Sequence, residues 1–202
     1  MSGAFPISTS KFSTMGIQSI QPTLISKSIS GKKLSRTIDA QRWAFTISII
    51  TSTRATAYGE LMAFIVKQRS GKENFTIIPP ELEDARGNIS GTVLVNGVHA
   101  VGDTTIAVDD MTGSLKAGDF IKFAHDKIYM VVADVTADGS NEATITIEPP
   151  LTTALADDSS VTYDNVPFTV HLTNDMQEFG VVGVDKDGNH LYKFEFDVEE
   201  TL

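Results

Sequence analysis

Apolar and polar residues alternate most cleanly at Trp43-Ala44-Phe45-Thr46-Ile47-Ser48-Ile49, which puts Trp43, Phe45, Ile47 and Ile49 on one face of a predicted strand. Ahead of it, Thr23 to Ile38 interleaves both kinds of residue around Gly31-Lys32-Lys33, the pattern of two strands joined by a turn. One segment breaks this β texture. From Arg54 to Arg69, Tyr58, Leu61, Met62 and Ile65 recur at i, i+3, i+4 and i+7, a single buried stripe of a helix. Thr51, Ser52 and Thr53 offer N-caps, Lys67 and Arg69 suit the last turn, and Gly71 stands where a C′ residue belongs. A lone helix among strands must lie against a sheet to bury its stripe. Phe75-Thr76-Ile77-Ile78 then reads as a short strand stopping at Pro79-Pro80.

From Ser90 the pattern becomes denser. Thr92–Val95, Thr104–Val108, Asp119–Phe123, Lys127–Val132 and Ala143–Ile147 are short β-rich runs between Gly, Asp and Asn turn signals. Such compact strands predict a small OB- or SH3-like β-barrel, ending at Pro149-Pro150 and the polar stretch Thr152 to Ser160. Longer alternation returns at Val166–Leu172 and Tyr192–Val198, strands too few to build a core alone. They are expected to complete one sheet system with the strands before Pro79, Pro79-Pro80 and Pro149-Pro150 marking exit and re-entry. The expected organisation is an N-terminal arm (1–18), a discontinuous β domain (19–89 and 163–202) and an inserted barrel (90–162). The expected fold class is mainly β: a β-sandwich-like domain with one helix packed on it, plus the small OB/SH3-like barrel. Over the first 20 or so residues, Phe5, Phe12, Met15, Ile17 and Ile20 are isolated apolar residues in a Ser-, Thr- and Gly-rich stretch. They suit a partly ordered segment or one that docks on a neighbouring subunit.

Composition narrows the function classes. The 202 residues are 41% hydrophobic and 21% charged, and a chain of this length buries about 70% of its unfolded surface. The absence of cysteine excludes disulfides, thiolate metal sites and cysteine nucleophiles. A formal net charge of −10 argues against general nucleic-acid binding, which needs local cations facing phosphate. The longest apolar runs, such as Ile128–Ala133, fall far short of the about 20 residues that span a bilayer. Residues 1–23 lack the apolar stretch of a signal peptide, so the expectation is a protein made in and released into water, with no membrane partner.

Residues with chemical potential are scattered. His99, His125, His171 and His190 show no metal-ligand spacing, and no Gly-x-Ser-x-Gly, Walker loop or Gly-x-Gly-x-x-Gly occurs. Asp185-Lys186-Asp187-Gly188-Asn189 opens like an EF-hand loop, but His190 replaces its glycine and Phe196 its closing glutamate. A hairpin turn is the better reading. Asp109-Asp110, Asp157-Asp158 and Glu199-Glu200 read as solvated carboxylates, because glycoside hydrolysis needs two facing each other in a cleft. Phe120, Phe123 and Tyr129 read as barrel core, not as a stacking platform for sugars or bases. No enzyme activity, catalytic residue, metal or cofactor is expected. Lys27, Lys32, Lys33, Arg36 and Arg42 cluster in an otherwise acidic chain. They are either a solvated strand edge or a patch complementary to an acidic neighbour, the other face of an identical copy included.

The order of segments carries a resemblance. Ala40-Gln41-Arg42-Trp43 opens the alternating strand, the Tyr58–Arg69 helix follows, then Phe75-Thr76-Ile77-Ile78-Pro79. Leu115-Lys116-Ala117-Gly118-Asp119-Phe120-Ile121-Lys122-Phe123 precedes Lys127-Ile128-Tyr129-Met130-Val131 and Ile147-Glu148-Pro149-Pro150-Leu151, and the chain closes with Val198-Glu199-Glu200-Thr201-Leu202. This resembles the distal tail proteins of long-tailed bacteriophages, of the short type with an inserted OB-like domain, over about residues 19–202. The resemblance implies a ring-forming β domain that assembles as a homo-hexamer joining the tail tube to the tail tip or baseplate hub. It implies residence at the virion tail tip after synthesis in the host cytoplasm, DNA passing through without specific binding, and an outward-facing OB-like barrel, for which a host-surface glycan is a candidate ligand. A second function class also fits, a carbohydrate-binding adhesion module acting through the barrel.

Overall fold

The computed structural model describes residues 3–6, 11–37, 41–80 and 82–201. In chain order the strands are β1 (Phe12–Ile20), β2 (Thr23–Lys27), β3 (Lys33–Thr37), β4 (Arg42–Thr53), then helix α1 (Gly59–Lys67) and β5 (Phe75–Ile77). Next come β6 (Leu94–Val95), β7 (Thr105–Asp109), β8 (Ser114–Leu115), β9 (Phe120–Lys122), β10 (Ile128–Val131), β11 (Val135–Thr136) and β12 (Ala143–Glu148). β13 (Phe168–Leu172), β14 (Gly180–Val184) and β15 (His190–Glu200) complete it. The fold is mainly β, as the alternation implies, and it falls into two compact units.

The first unit gathers Met1–Ser19, Arg42–Pro80 and Pro167–Thr201. Its six-stranded sheet runs β1-β4-β15-β13-β5, with β14 also pairing β15, so strands from both ends of the sequence share one sheet. Trp43, Phe45, Ile47 and Ile49 are all buried, as their shared face requires, and Phe45 meets Phe168 edge-on at 5.0 Å. β15 is the spine. It pairs β4 along most of its length, β14 at its start and β13 at its end.

The helix differs from its expected form. β4 continues through Thr53, so Thr51 and Ser52 belong to the strand. Thr53 makes no side-chain cap; its hydroxyl bonds that of Thr56. Arg54–Tyr58 form a π-helical turn closed by the Gly59 amide donating to the Arg54 carbonyl, and the α-helix proper is nine residues. Tyr58, Leu61 and Ile65 are buried, Met62 half-buried. The left-handed residues after the helix are Arg69 and Ser70, not Gly71. Gly71 has another reason to be glycine: a Cβ there would stand 2.5 Å from the Leu172 carbonyl oxygen, closer than real contacts allow.

The N-terminal stretch is more ordered than expected. Residues 12–20 form β1 beside β4, and Phe5 packs on Phe12, Phe64, Phe75 and Phe196 at centroid distances of 5.5–6.2 Å. Phe5 and Phe12 thus find partners in the same unit, whereas Ile17 stays exposed. The expected arm also includes residues 1, 2 and 7–10, which lie outside the described residues.

The second unit gathers Ile20–Gln41 and Glu81–Val166. Its main sheet runs β6-β7-β12-β10-β9. Residues 159–162 bond to both terminal strands: the Thr162 and Lys122 backbones exchange hydrogen bonds at 2.7 and 2.9 Å, and the Val95 amide donates to Ser159 at 2.9 Å. The sheet thus curls into a barrel around Val95, Ile106, Val108, Leu115, Ile121, Tyr129, Val131, Ile145 and Ile147. Pro149-Pro150 does not end this unit. Leu151, Leu155 and Val161 insert into the same core, because the polar residues between them are exposed while these three point inward. Residues 20–41 also group here rather than with the first unit. One tie is the buried Lys127 ammonium, which donates to the Gln41 carbonyl and side-chain oxygens at 2.9 and 2.8 Å.

The Ala117-Gly118-Asp119 segment acts as a pin. Gly118 takes φ +98°, a conformation that favours glycine, and turns the buried Asp119 carboxylate inward. That carboxylate accepts the Arg86 amide at 3.0 Å, the Arg86 guanidinium at 3.3 Å and the Lys116 amide at 2.7 Å. The Arg86 guanidinium also donates to the Ala117 carbonyl. One buried charge therefore anchors the 82–91 segment to the barrel.

Candidate assembly surface

The residues with catalytic potential end up apart or in structural roles. His99 accepts the Ala107 amide at 3.2 Å and faces Asp103 at 3.6 Å; His171 bonds Thr201 at 3.1 Å. His190 is exposed at the start of β15. His125 sits against Tyr129, 5.6 Å edge-on, and Phe123, with its Nε2 buried and unpartnered. Burial, then the neighbouring Lys122, hold its pKa below the usual imidazole value against an opposing pull from Asp126, with Lys127 adding a smaller push in the same direction as Lys122. Among the described residues no three His, Asp or Glu side chains converge as a metal would need.

Asp185–Asn189 is a hairpin turn between β14 and β15. The Asp185 carboxylate accepts the Asp187 and Asn189 amides at 2.8 and 2.9 Å and the Asn189 side chain at 2.9 Å. These bonds, the Asn189 contacts foremost, hold its pKa below the usual carboxylate range. Glu199-Glu200 departs from the solvated reading. Adjacent strand residues face opposite ways, so Glu199 pairs with Arg42 at 2.7 Å while Glu200 is fully buried and accepts the Trp43 amide at 3.1 Å. Asp110 and Asp158 are exposed, and Asp157 accepts the Gly97 amide at 2.6 Å. Phe120, Phe123 and Tyr129 are buried and offer no face for a sugar or base to stack on.

The basic cluster divides in two. Arg42 belongs to β4 and its Glu199 pair; Lys27, Lys32, Lys33 and Arg36 form the β2–β3 hairpin. The turn spans Ser28–Lys32: the Ser28 amide donates to the Lys32 carbonyl at 3.0 Å, and the Ser28 and Ser30 hydroxyls bond at 2.8 Å. Register places Lys27 opposite Lys33, Leu24 opposite Arg36, and Ser26 opposite Leu34. One face therefore carries Ile25, Lys27, Lys33 and Ser35, and the other Leu24, Ser26, Leu34 and Arg36.

Two properties of this hairpin cost a solitary molecule stability. Leu24, Ile25 and Leu34 are 61, 58 and 55% exposed, and Ile29 at the turn is fully exposed. A two-stranded ribbon with no buried face is marginal in water. Directly opposed like charges, Lys27 and Lys33, are destabilising as well. No Asp or Glu occurs from Ile20 to Thr37 to offset them. The chain's net charge of −10 includes these four cations, so the remainder carries −14. The charges were visible in the sequence; the exposed aliphatics were not, because their alternation with polar residues reads equally as one buried face.

No family model matches the chain, and no curated protein matches it.

Proposed function

We propose that this chain is a structural subunit of a bacteriophage tail, six copies closing into a ring that joins the tail tube to the tail tip or baseplate. The observation that carries the reading is the hairpin. Four cations and four exposed aliphatic side chains project from a chain that is otherwise strongly acidic, and a partner that satisfies both must be acidic and partly apolar. Another copy of the chain meets that description. A hairpin on one part of the surface engaging a different part of the next copy is a heterologous contact, which closes into a ring when the rotation permits. The work of the protein is then assembly, with no bond made or broken. Its place is the virion tail tip, where DNA passes a net-acidic ring without specific binding. The barrel unit serves as an adhesion or decoration module. The resemblance of the segment order to that of distal tail proteins supports the same reading.

The test is the mass and shape of the purified chain. Light scattering across a concentration series should show a species of about 130 kDa, six times 21.8 kDa, and negative-stain micrographs should show rings. A 21.8-kDa monomer at every concentration, with solitary particles on the grid, overturns the proposal.

A further inference from the structure

The sheet of the first unit treats its edges unequally. At β5 the chain covers its own edge: Ala4 bridges Thr76, the Phe5 amide donates to the Thr76 carbonyl at 2.8 Å, and the Thr76 amide donates to Gly3 at 3.1 Å. β1 and β14 are terminal strands with no such cover among the described residues. Neither contains a charged residue, although the chain is 21% charged. β14 reads Gly-Val-Val-Gly-Val, and Val181, Val182 and Val184 are each more than half exposed. On β1, Ile17 is exposed. Lone proteins protect such edges with lysine, proline or a bulge. β14 has a bulge between Val181 and Gly183, but the residue it adds is an exposed valine.

We propose that β14 of one copy pairs along its outer edge with β1 of the next, continuing the sheet from subunit to subunit. This rests on the reading of the chain as a ring subunit and names a contact through which the ring closes. The pairing joins two different edges of one sheet. It is therefore head-to-tail and propagates, whereas β14 against β14 would stop at a dimer. Five residues of β14 give an edge of about 17 Å, enough for a register to be set by backbone hydrogen bonds while the valines pack against uncharged β1 neighbours.

The chain has no cysteine, so cross-linking reads the contact directly. Val182→Cys is combined in turn with Thr14→Cys, Ile17→Cys and Gln18→Cys, and the proteins are oxidised as assembled rings. At least one double variant is expected to give a covalent ladder ending at the hexamer, with none from the single variants. Amides of 180–184 should exchange at least tenfold more slowly in rings than in dissociated subunits. A covalent dimer from Val182→Cys alone overturns the head-to-tail pairing. Rings that form without any cross-link, and with 180–184 exchanging as in the monomer, overturn the edge contact while leaving the ring reading standing. Failure of the unmodified chain to form rings overturns both.

Discussion

Lys33→Glu separates what the hairpin does for its own chain from what it does for assembly. In the isolated subunit, Lys33 lies directly across from Lys27, so a carboxylate at 33 exchanges cross-strand repulsion for attraction. Such pairs are worth about 0.2–1 kcal/mol in each direction, so the hairpin gains about 0.5–2 kcal/mol locally. In the proposed ring the sign reverses between copies. One exposed ion pair of about 0.2–1 kcal/mol is lost and a like-charge contact of similar size replaces it, weakening each interface by about 0.5–2 kcal/mol. That is about 2- to 30-fold in dissociation constant. Hairpin order is read by amide exchange of 23–37 in dilute monomer, and assembly by light scattering at 50 and 500 mM salt. The expected result is slower exchange together with weaker assembly, the deficit shrinking at high salt as screening cuts in. Unchanged assembly at both salt concentrations refutes the electrostatic role of the hairpin. Faster monomer exchange would instead refute the Lys27–Lys33 register.

Trp43→Ala removes a buried indole from β4 and should destabilise the subunit by about 3–5 kcal/mol in chemical denaturation; a loss under about 1 kcal/mol would contradict its core position. Gly71→Ala forces a Cβ onto the Leu172 carbonyl and should cost about 1–3 kcal/mol, whereas an unchanged denaturation midpoint would show that this loop yields freely. Asp119→Ala leaves the part-buried Arg86 and Lys116 amides without their acceptor, while the exposed Arg86 guanidinium turns to water; it should cost about 1–3 kcal/mol, seen first as proteolysis within 82–91. For His125 the folded pKa lies below the ordinary 6.5, so the unfolded chain takes up the proton first. Its contribution is complete above pH 6.5 and is lost as pH falls through 6.5 toward the folded value. His125→Gln should therefore flatten stability between pH 7.5 and 5.5, and an identical pH slope in both proteins would discount the group.

Much of the fold was legible because burial imposes a period. β4 announced itself through four large residues at alternate positions, and the barrel strands through short runs between turn residues. Where local signals competed, the pattern misled. Thr51, Ser52 and Thr53 look like caps, but pairing of Thr53 with Leu191 extends β4 through them and leaves a π turn to absorb the change of direction. Gly71 looks like a helix terminator, yet its reason lies on a distant strand, at the Leu172 carbonyl, which no local pattern reports. β14 was missed because Gly-Val-Val-Gly-Val does not alternate; with side chains exposed on both faces, nothing imposes period two. The candidate assembly surface was half legible. Charge is countable, whereas the exposure of Leu24, Ile25, Ile29 and Leu34 depends on a face that no described residue covers.

The two features assigned to assembly break the usual surface rules in opposite directions, and this makes them complementary. The hairpin concentrates cations in a chain whose remainder carries −14; β1 and β14 carry no charge at all. Copies with a net charge of −10 repel at long range, which keeps uncharged sheet edges from meeting at random. An approach that places the hairpin of one copy on acidic surface of the next converts part of that repulsion into attraction, and it does so in few orientations. In the proposed ring, edge pairing would act at hydrogen-bond range and respond little to salt, fixing the register only after the charges have selected the orientation. Weakening the hairpin should thus slow ring formation more than it loosens finished rings, while charges placed on β14 should do the reverse. Association and dissociation rates measured on the two variants decide it; equal effects on both rates would mean that the two contacts do not divide the work in this way.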